Sequence, residues 1–162
     1  MRKFMVGLSL LIVSIAPSMA QIPPAPSDVD AMKEAIVQML DVYVNAYSRD
    51  ANAIADLAAV PLVAFGAQRT FILNSREDVE KLYGNALSGL KARGYSHSKW
   101  ADVYVRPLTP ATALISAVAI RYTNNDAEME RIGITYFVRR VDGAWKLAVV
   151  SASDPRRAFR AD

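Results

Sequence analysis

Along the first third of the chain, apolar residues recur at steps of three and four. Met32, Ile36, Met39, Leu40, Tyr43 and Tyr47 fall on one stripe, with Lys33, Glu34, Asp41 and Asn45 elsewhere. That period belongs to a helix with one buried face, and it predicts a helix over 28–48 with Ser27 or Asp28 as its N-cap. A second, shorter helix is expected over 50–59, with Ile54 and Leu57 facing inward. Pro61 ends it, because the residue before a proline is driven out of the helical region. Residues 62–73 read as extended, with a turn near Gly66-Ala67-Gln68, and predict a short hairpin. A third helix follows, capped by Asn74 or Ser75, with Glu77 and Asp78 complementing the dipole of its first turn. Val79, Leu82, Tyr83, Ala86, Leu87 and Leu90 form its stripe, and Gly94 supplies a left-handed stop.

After Gly94 the period changes from about 3.6 to 2. Residues 98–106, 112–122, 131–141 and 144–153 all read as strands. Pro107 and Pro110 bound the first connection, Asn124-Asn125-Asp126 the second, and Asp142-Gly143 the third. The last pair signals a tight hairpin, since both residues tolerate positive φ. Three helical segments and a four-stranded antiparallel meander imply an α+β fold with segregated elements, not alternating βαβ units.

The extreme N-terminus follows a different pattern. Arg2 and Lys3 precede an apolar run from Phe4 to Ala16, then Pro17 and the small residues Ser18-Met19-Ala20. This order predicts a cleavable signal peptide over 1–20, because the run is too short for a spanning helix of ~20 apolar residues. The expected division is then a lead-in over 21–27 rich in proline, a domain over 28–154 and a tail over 155–162. Cleavage would remove two of the 19 basic residues and none of the 16 acidic ones, lowering the net charge from +3 to +1. A near-neutral domain with no basic stripe predicts no nucleic-acid partner. Arg156, Arg157 and Arg160 in the tail read as a solvated end or a clamp onto the domain's own acidic residues. The chain contains no cysteine, which excludes disulfides, zinc–thiolate sites, a cysteine nucleophile and a lipidated N-terminus. The domain must therefore be held by its core. After cleavage no membrane anchor is expected, and the location is the periplasm or the medium.

The helix–helix–strand–helix–meander order, the helix ending VYVNAYSRDANAIADL and the closing hairpin YFVRRVDGAWKLAVVSASD resemble the nuclear transport factor 2-like superfamily. That superfamily includes SnoaL-like and ketosteroid-isomerase-like proteins, and the resemblance spans about 28–154. It implies a cone-shaped fold, with three N-terminal helices packed on a strongly curved antiparallel sheet, and a homodimer through the sheet's outer face. Steroid isomerases of this kind use a tyrosine on the first helix, an aspartate base near the first strand's end and a protonated acid on a later strand. Tyr43 matches the tyrosine, but Phe65-Gly66-Ala67-Gln68 offers no base and Thr135-Tyr136-Phe137 no acid. Limonene-type epoxide hydrolases need Arg-x-Asp where this chain has Trp100-Ala101-Asp102, and scytalone-type dehydratases need two histidines where it has only His97.

Asp102 and His97 remain the catalytic candidates, the first as a charge inside a strand and the second as the single imidazole. Pairing with Arg121 or Arg106 on the outer face is the plainer reading of Asp102. No clustered ligand set predicts a metal, and no nucleotide, flavin or nicotinamide fingerprint predicts a cofactor. The aromatic residues suit a small-molecule pocket. Positional matching to the superfamily turns Ser116, Val118, Ile120 and Tyr122 inward with Phe137, Val150 and Ala152, and Arg121 outward. The ligand-binding expectation is therefore Tyr43, Tyr47, Trp100, Ser116, Tyr122 and Phe137. Trp145, Leu147 and Val149 are assigned to the outer face as the dimer surface. These residues favour an exported domain that holds a small, largely apolar molecule without catalysis. The alternatives are a lyase, isomerase or hydrolase acting on such a molecule, and an interaction domain whose cavity is filled by its own side chains.

Overall fold

A computed structural model describes residues 26–66 and 68–160. The leader expected over 1–20 lies outside them, as do positions 21–25 of the lead-in. The first helix, α1 (Pro26–Arg49), buries Ile36, Met39, Leu40, Tyr43 and Val44, the stripe that the 3.6-residue period demands. Asp50 then caps a helix of one turn, α2 (Ala51–Ala55), by accepting from the Asn52 amide at 2.9 Å. This element is shorter than expected, because the chain is already extended from Ala58. Strands β1 (Ala58–Phe65) and β2 (Thr70–Leu73) form the expected hairpin. The third helix, α3 (Arg76–Ala92), starts with a capping box between Ser75 and Asp78 and ends before Gly94, whose φ is 88°. Arg76 reaches back to Asp56 and to the Asn52 carbonyl, tying α3 to α2.

The meander forms as read, as β3 (Tyr95–Thr109), β4 (Thr112–Thr123), β5 (Glu128–Val141) and β6 (Ala144–Ser153). Asp142 and Gly143 take φ values of 50° and 82° at its last turn, the conformation expected for that pair. The whole sheet has six strands in the order β2-β1-β6-β5-β4-β3. β1 joins it in parallel with β6, so the sheet is mixed and not wholly antiparallel. The helices are likewise not a contiguous N-terminal group, since β1 and β2 precede α3.

Sheet parity departs from expectation on β4. Ala113, Ile115, Ala117 and Ala119 face the core, whereas Ser116, Val118, Ile120 and Tyr122 lie on the opposite face. Phe137 pairs with Leu114 and Val149 on that same outer face. Trp145 and Leu147 are turned inward and are 7% and 0% exposed, so of the three residues assigned to the outer surface only Val149 lies there. The cause is a register shift in β6. Val138 pairs with Leu147 but Phe137 pairs with Val149, so Ala148 is an extra residue and parity inverts across it.

The outer face is instead crossed by the chain's own end. Pro155–Arg157 form a 3-10 turn capped by Asp154, whose carboxyl Arg156 holds down to about 2. Farther on, Phe159 packs edge-on against Tyr104 at 5.9 Å, and Arg160 Nε lies 3.1 Å from Asp102. The strap thus runs from Gly133 on β5 to β3, over Val118 and Ser116 on the strand between them. A Cβ at Gly133 would stand 2.8 Å from the Asp154 carbonyl oxygen and 3.0 Å from Pro155 Cα. Backbone must move to admit it, so Gly133→Ala is expected to destabilise the domain by about 1–3 kcal/mol. Urea unfolding should show the lowered midpoint, and most of the penalty should vanish in a chain ending at Ser153.

Candidate functional site

Between the inner face of the sheet and α1 and α3 lies a cavity of about 270 Å³. Its wall is mostly apolar, with Ile132, Ile134, Val150 and Ala152 from the sheet and Leu82 and Ala86 from α3. The β1–β2 hairpin adds Phe65, Gly66 and Phe71. Polar residues are few: Tyr43, Tyr47, Tyr83, Ser98 and Arg121. An apolar chamber with a few convergent polar groups is the usual form of a small-molecule site.

The tyrosines form one cluster. Tyr43 meets Tyr83 and Tyr136 edge-on, with ring centroids 6.3 and 5.7 Å away, and lies near Tyr47 at 5.9 Å. Trp100 stacks on the other side of Tyr43 and donates its indole N–H to the Leu40 carbonyl, which fixes both rings against α1. The Tyr83 and Tyr136 hydroxyls are buried with no hydrogen-bond partner. Tyr43 lies close enough to influence both, yet outside hydrogen-bonding geometry. Burial pushes the Tyr43 and Tyr136 phenols well above their ordinary range, with neighbouring tyrosines adding to the shift, and raises Tyr83 to about 12. Burial raises Tyr47 too, against an opposing pull from Arg121. All four are therefore neutral at physiological pH and serve as hydrogen-bond donors, not bases.

Of the ligand residues expected from sequence, Tyr43 and Tyr47 line the chamber and Trp100 buttresses it. Ser116, Tyr122 and Phe137 lie on the other side of the sheet, on the face of β4 and β5 turned away from the core. Tyr122 is stacked on His97 at 5.0 Å. The two catalytic candidates also sit outside: His97 Nε2 is 3.7 Å from Asp126, and Asp102 pairs with Arg160 in the strap. Arg121 is not on the outer face but in the cavity wall, where it donates to Glu130 at 2.6 Å. Tyr83, Ser98 and Arg121 were not predicted as site residues. Arg121 was legible in principle, as a cation amid small apolar residues on a buried strand with an acid on the next strand.

The chain matches over residues 33–155 the family described as NTF2-like protein (DUF6841). The chain belongs to this NTF2-like family. Solved structures agree at the level of the fold. A cystatin-like-fold protein of unknown function from Nostoc punctiforme superposes with a TM-score of 0.66 at 14% identity, covering 83% of this chain and 96% of that one. Aln2 from a Streptomyces species gives 0.64 at 12% identity, with the same 83% and 96% coverage. An NTF2-like protein of unknown function from Shewanella oneidensis gives 0.62 at 17% identity, covering 76% and 99%. No curated protein sequence matches the chain significantly.

Within this NTF2-like domain, a buried hydroxyl without a partner costs free energy that its removal restores. Tyr136→Phe is therefore expected to leave thermal stability unchanged, or to raise it by up to about 1–2 kcal/mol. Differential scanning calorimetry checks this. A fall of the midpoint by several degrees would mean that the phenol is satisfied in the folded protein.

Proposed function

We propose that the protein is an exported domain that holds a small, largely apolar molecule in the cavity beneath its sheet, without a catalytic base of its own. One observation carries the reading: a cavity of about 270 Å³ with a mostly apolar wall is lined by Tyr43, Tyr47 and Tyr83. The Tyr83 hydroxyl is buried without a partner, a state that costs about 1–3 kcal/mol, and a ring movement that brought it to an acceptor on a bound molecule would remove that cost. Tyr43 and Tyr47 offer further donors beside it, and the remaining wall suits an apolar body. Among the described residues, no carboxylate or imidazole lines the cavity, and the phenols stay protonated at neutral pH, so none of them is poised to abstract a proton. The wall supplies binding and orientation, and stabilisation of a carbonyl-type oxygen.

The export half of the reading rests on the ordered leader pattern of residues 1–20. N-terminal sequencing of protein recovered from an exporting host should begin at Gln21, and a start at Met1 would remove it.

The binding half is tested by native mass spectrometry of that mature protein. A small molecule should accompany the folded chain and leave on denaturation. Tyr43→Phe should weaken its retention about five- to tenfold, the worth of one hydrogen bond of ~1 kcal/mol. A chain that arrives empty and takes up no apolar probe would refute the binding reading.

A further inference from the structure

Arg121 is the one charged side chain among the described residues of the cavity wall. β4 presents it on the inner face, with Ser98 of β3 and Glu130 of β5 at the paired positions on either side. It is largely withdrawn from water, with 15% of its side chain exposed. A guanidinium stays charged throughout the accessible pH range, so burial there demands compensation.

The compensation present is incomplete. Arg121 Nη1 donates to Glu130 Oε1 at 2.6 Å, but Arg93 Nη2 donates to the same oxygen at 3.3 Å. Two guanidinium groups thus share one carboxylate, Arg93 from the exposed side and Arg121 from the cavity wall. Glu130 is held ionised: desolvation opposes its charge, but Arg121 and Arg93 outweigh it. Tyr47 lies beneath the guanidinium, with its ring centroid 5.8 Å from the central carbon. A guanidinium carries five N–H donors in a planar fork that matches a carboxylate. One of them reaches Glu130.

We propose that the molecule held in the cavity is a compact apolar monocarboxylic acid, with its carboxylate on Arg121 and its body against the Ile132–Ile134 side of the sheet. This rests on the reading that the cavity holds a ligand. With Arg121 the one cation among the described residues of the wall, the site suits a monoanion better than a dianion such as a phosphate monoester, and the planar fork selects a carboxylate. The apolar wall next to Arg121 excludes a polyhydroxylated acid.

Isothermal titration calorimetry on the mature protein, freed of copurified molecules, tests this with 2-naphthoate and benzoate against their neutral amides. Each acid should bind at least tenfold more tightly than its amide. Arg121→Gln should bring the acid down to the level of the amide. Glu130→Gln, which releases Arg121 from its competitor, should strengthen acid binding and leave the amide unchanged. The acid–amide comparison on the unaltered chain decides the matter even if Arg121→Gln does not fold. Equal binding of acid and amide would overturn the carboxylate assignment while leaving the apolar binding site in place. No binding of either would remove both.

Discussion

The side of each strand that faces α1 decides everything else about this molecule. In a sheet the side-chain period is two, so one inserted residue sends everything beyond it to the other face. Such insertions occur at Ala101 in β3 and Ala148 in β6. The first lets Trp100 point inward beneath Tyr43 while Asp102, two positions later, points outward to the strap. The second keeps Trp145 and Leu147 in the core and also turns Val150 and Ala152 toward the cavity. A regular β6 could fill the core or line the cavity with those four residues, but could not do both.

Given that parity, the small residues on the inner face acquire a purpose. Ala117 and Ala119 sit where the indole and phenol rings must fit between sheet and helix, and Ala119 is the cross-strand partner of Trp100. Larger residues there would displace the aromatic cluster. The cluster in turn brings phenols inward where there is no complete set of acceptors, leaving Tyr83 and Tyr136 unpaired. The domain tolerates this cost because the same rings bury a large apolar area. That balance, with ring area outweighing lost hydrogen bonds, leaves unpaired hydroxyls in the core beside the chamber.

Much of the fold was legible from local rules. The α1 stripe, the Ser75 cap, the Gly94 stop and the Asp142-Gly143 turn each depend on a few adjacent residues, and each forms as the pattern requires. The β4 face was not legible, because both of its alternating sets look plausible for a core. Ser116, Val118, Ile120 and Tyr122 carry the greater bulk, yet the smaller set faces the helix because aromatic rings from elsewhere occupy the space. The parallel joining of β1 to β6 and the strap over the outer face are likewise long-range pairings with no local signature. Errors in the site follow from the same source. Tyr43 and Tyr47, placed by helix periodicity, line the chamber, whereas Ser116, Tyr122 and Phe137, placed by strand parity, do not.

The two faces also divide the charged groups. On the outer side the two candidates and the Asp154 cap each have a local partner: Asp102 has Arg160, His97 has Tyr122 and Asp126, and Asp154 has Arg156. These contacts fasten the strap and the β4–β5 turn, and in water each contributes little on its own. Arg121, the one cation among the described residues of the cavity wall, shares Glu130 with Arg93 and stands largely out of water. An unbalanced charge matters most where solvent cannot screen it. On the proposed reading the chemistry therefore concentrates at Arg121 and the tyrosines beside it, while the strand aspartate and the single histidine make only local contacts on the outer face.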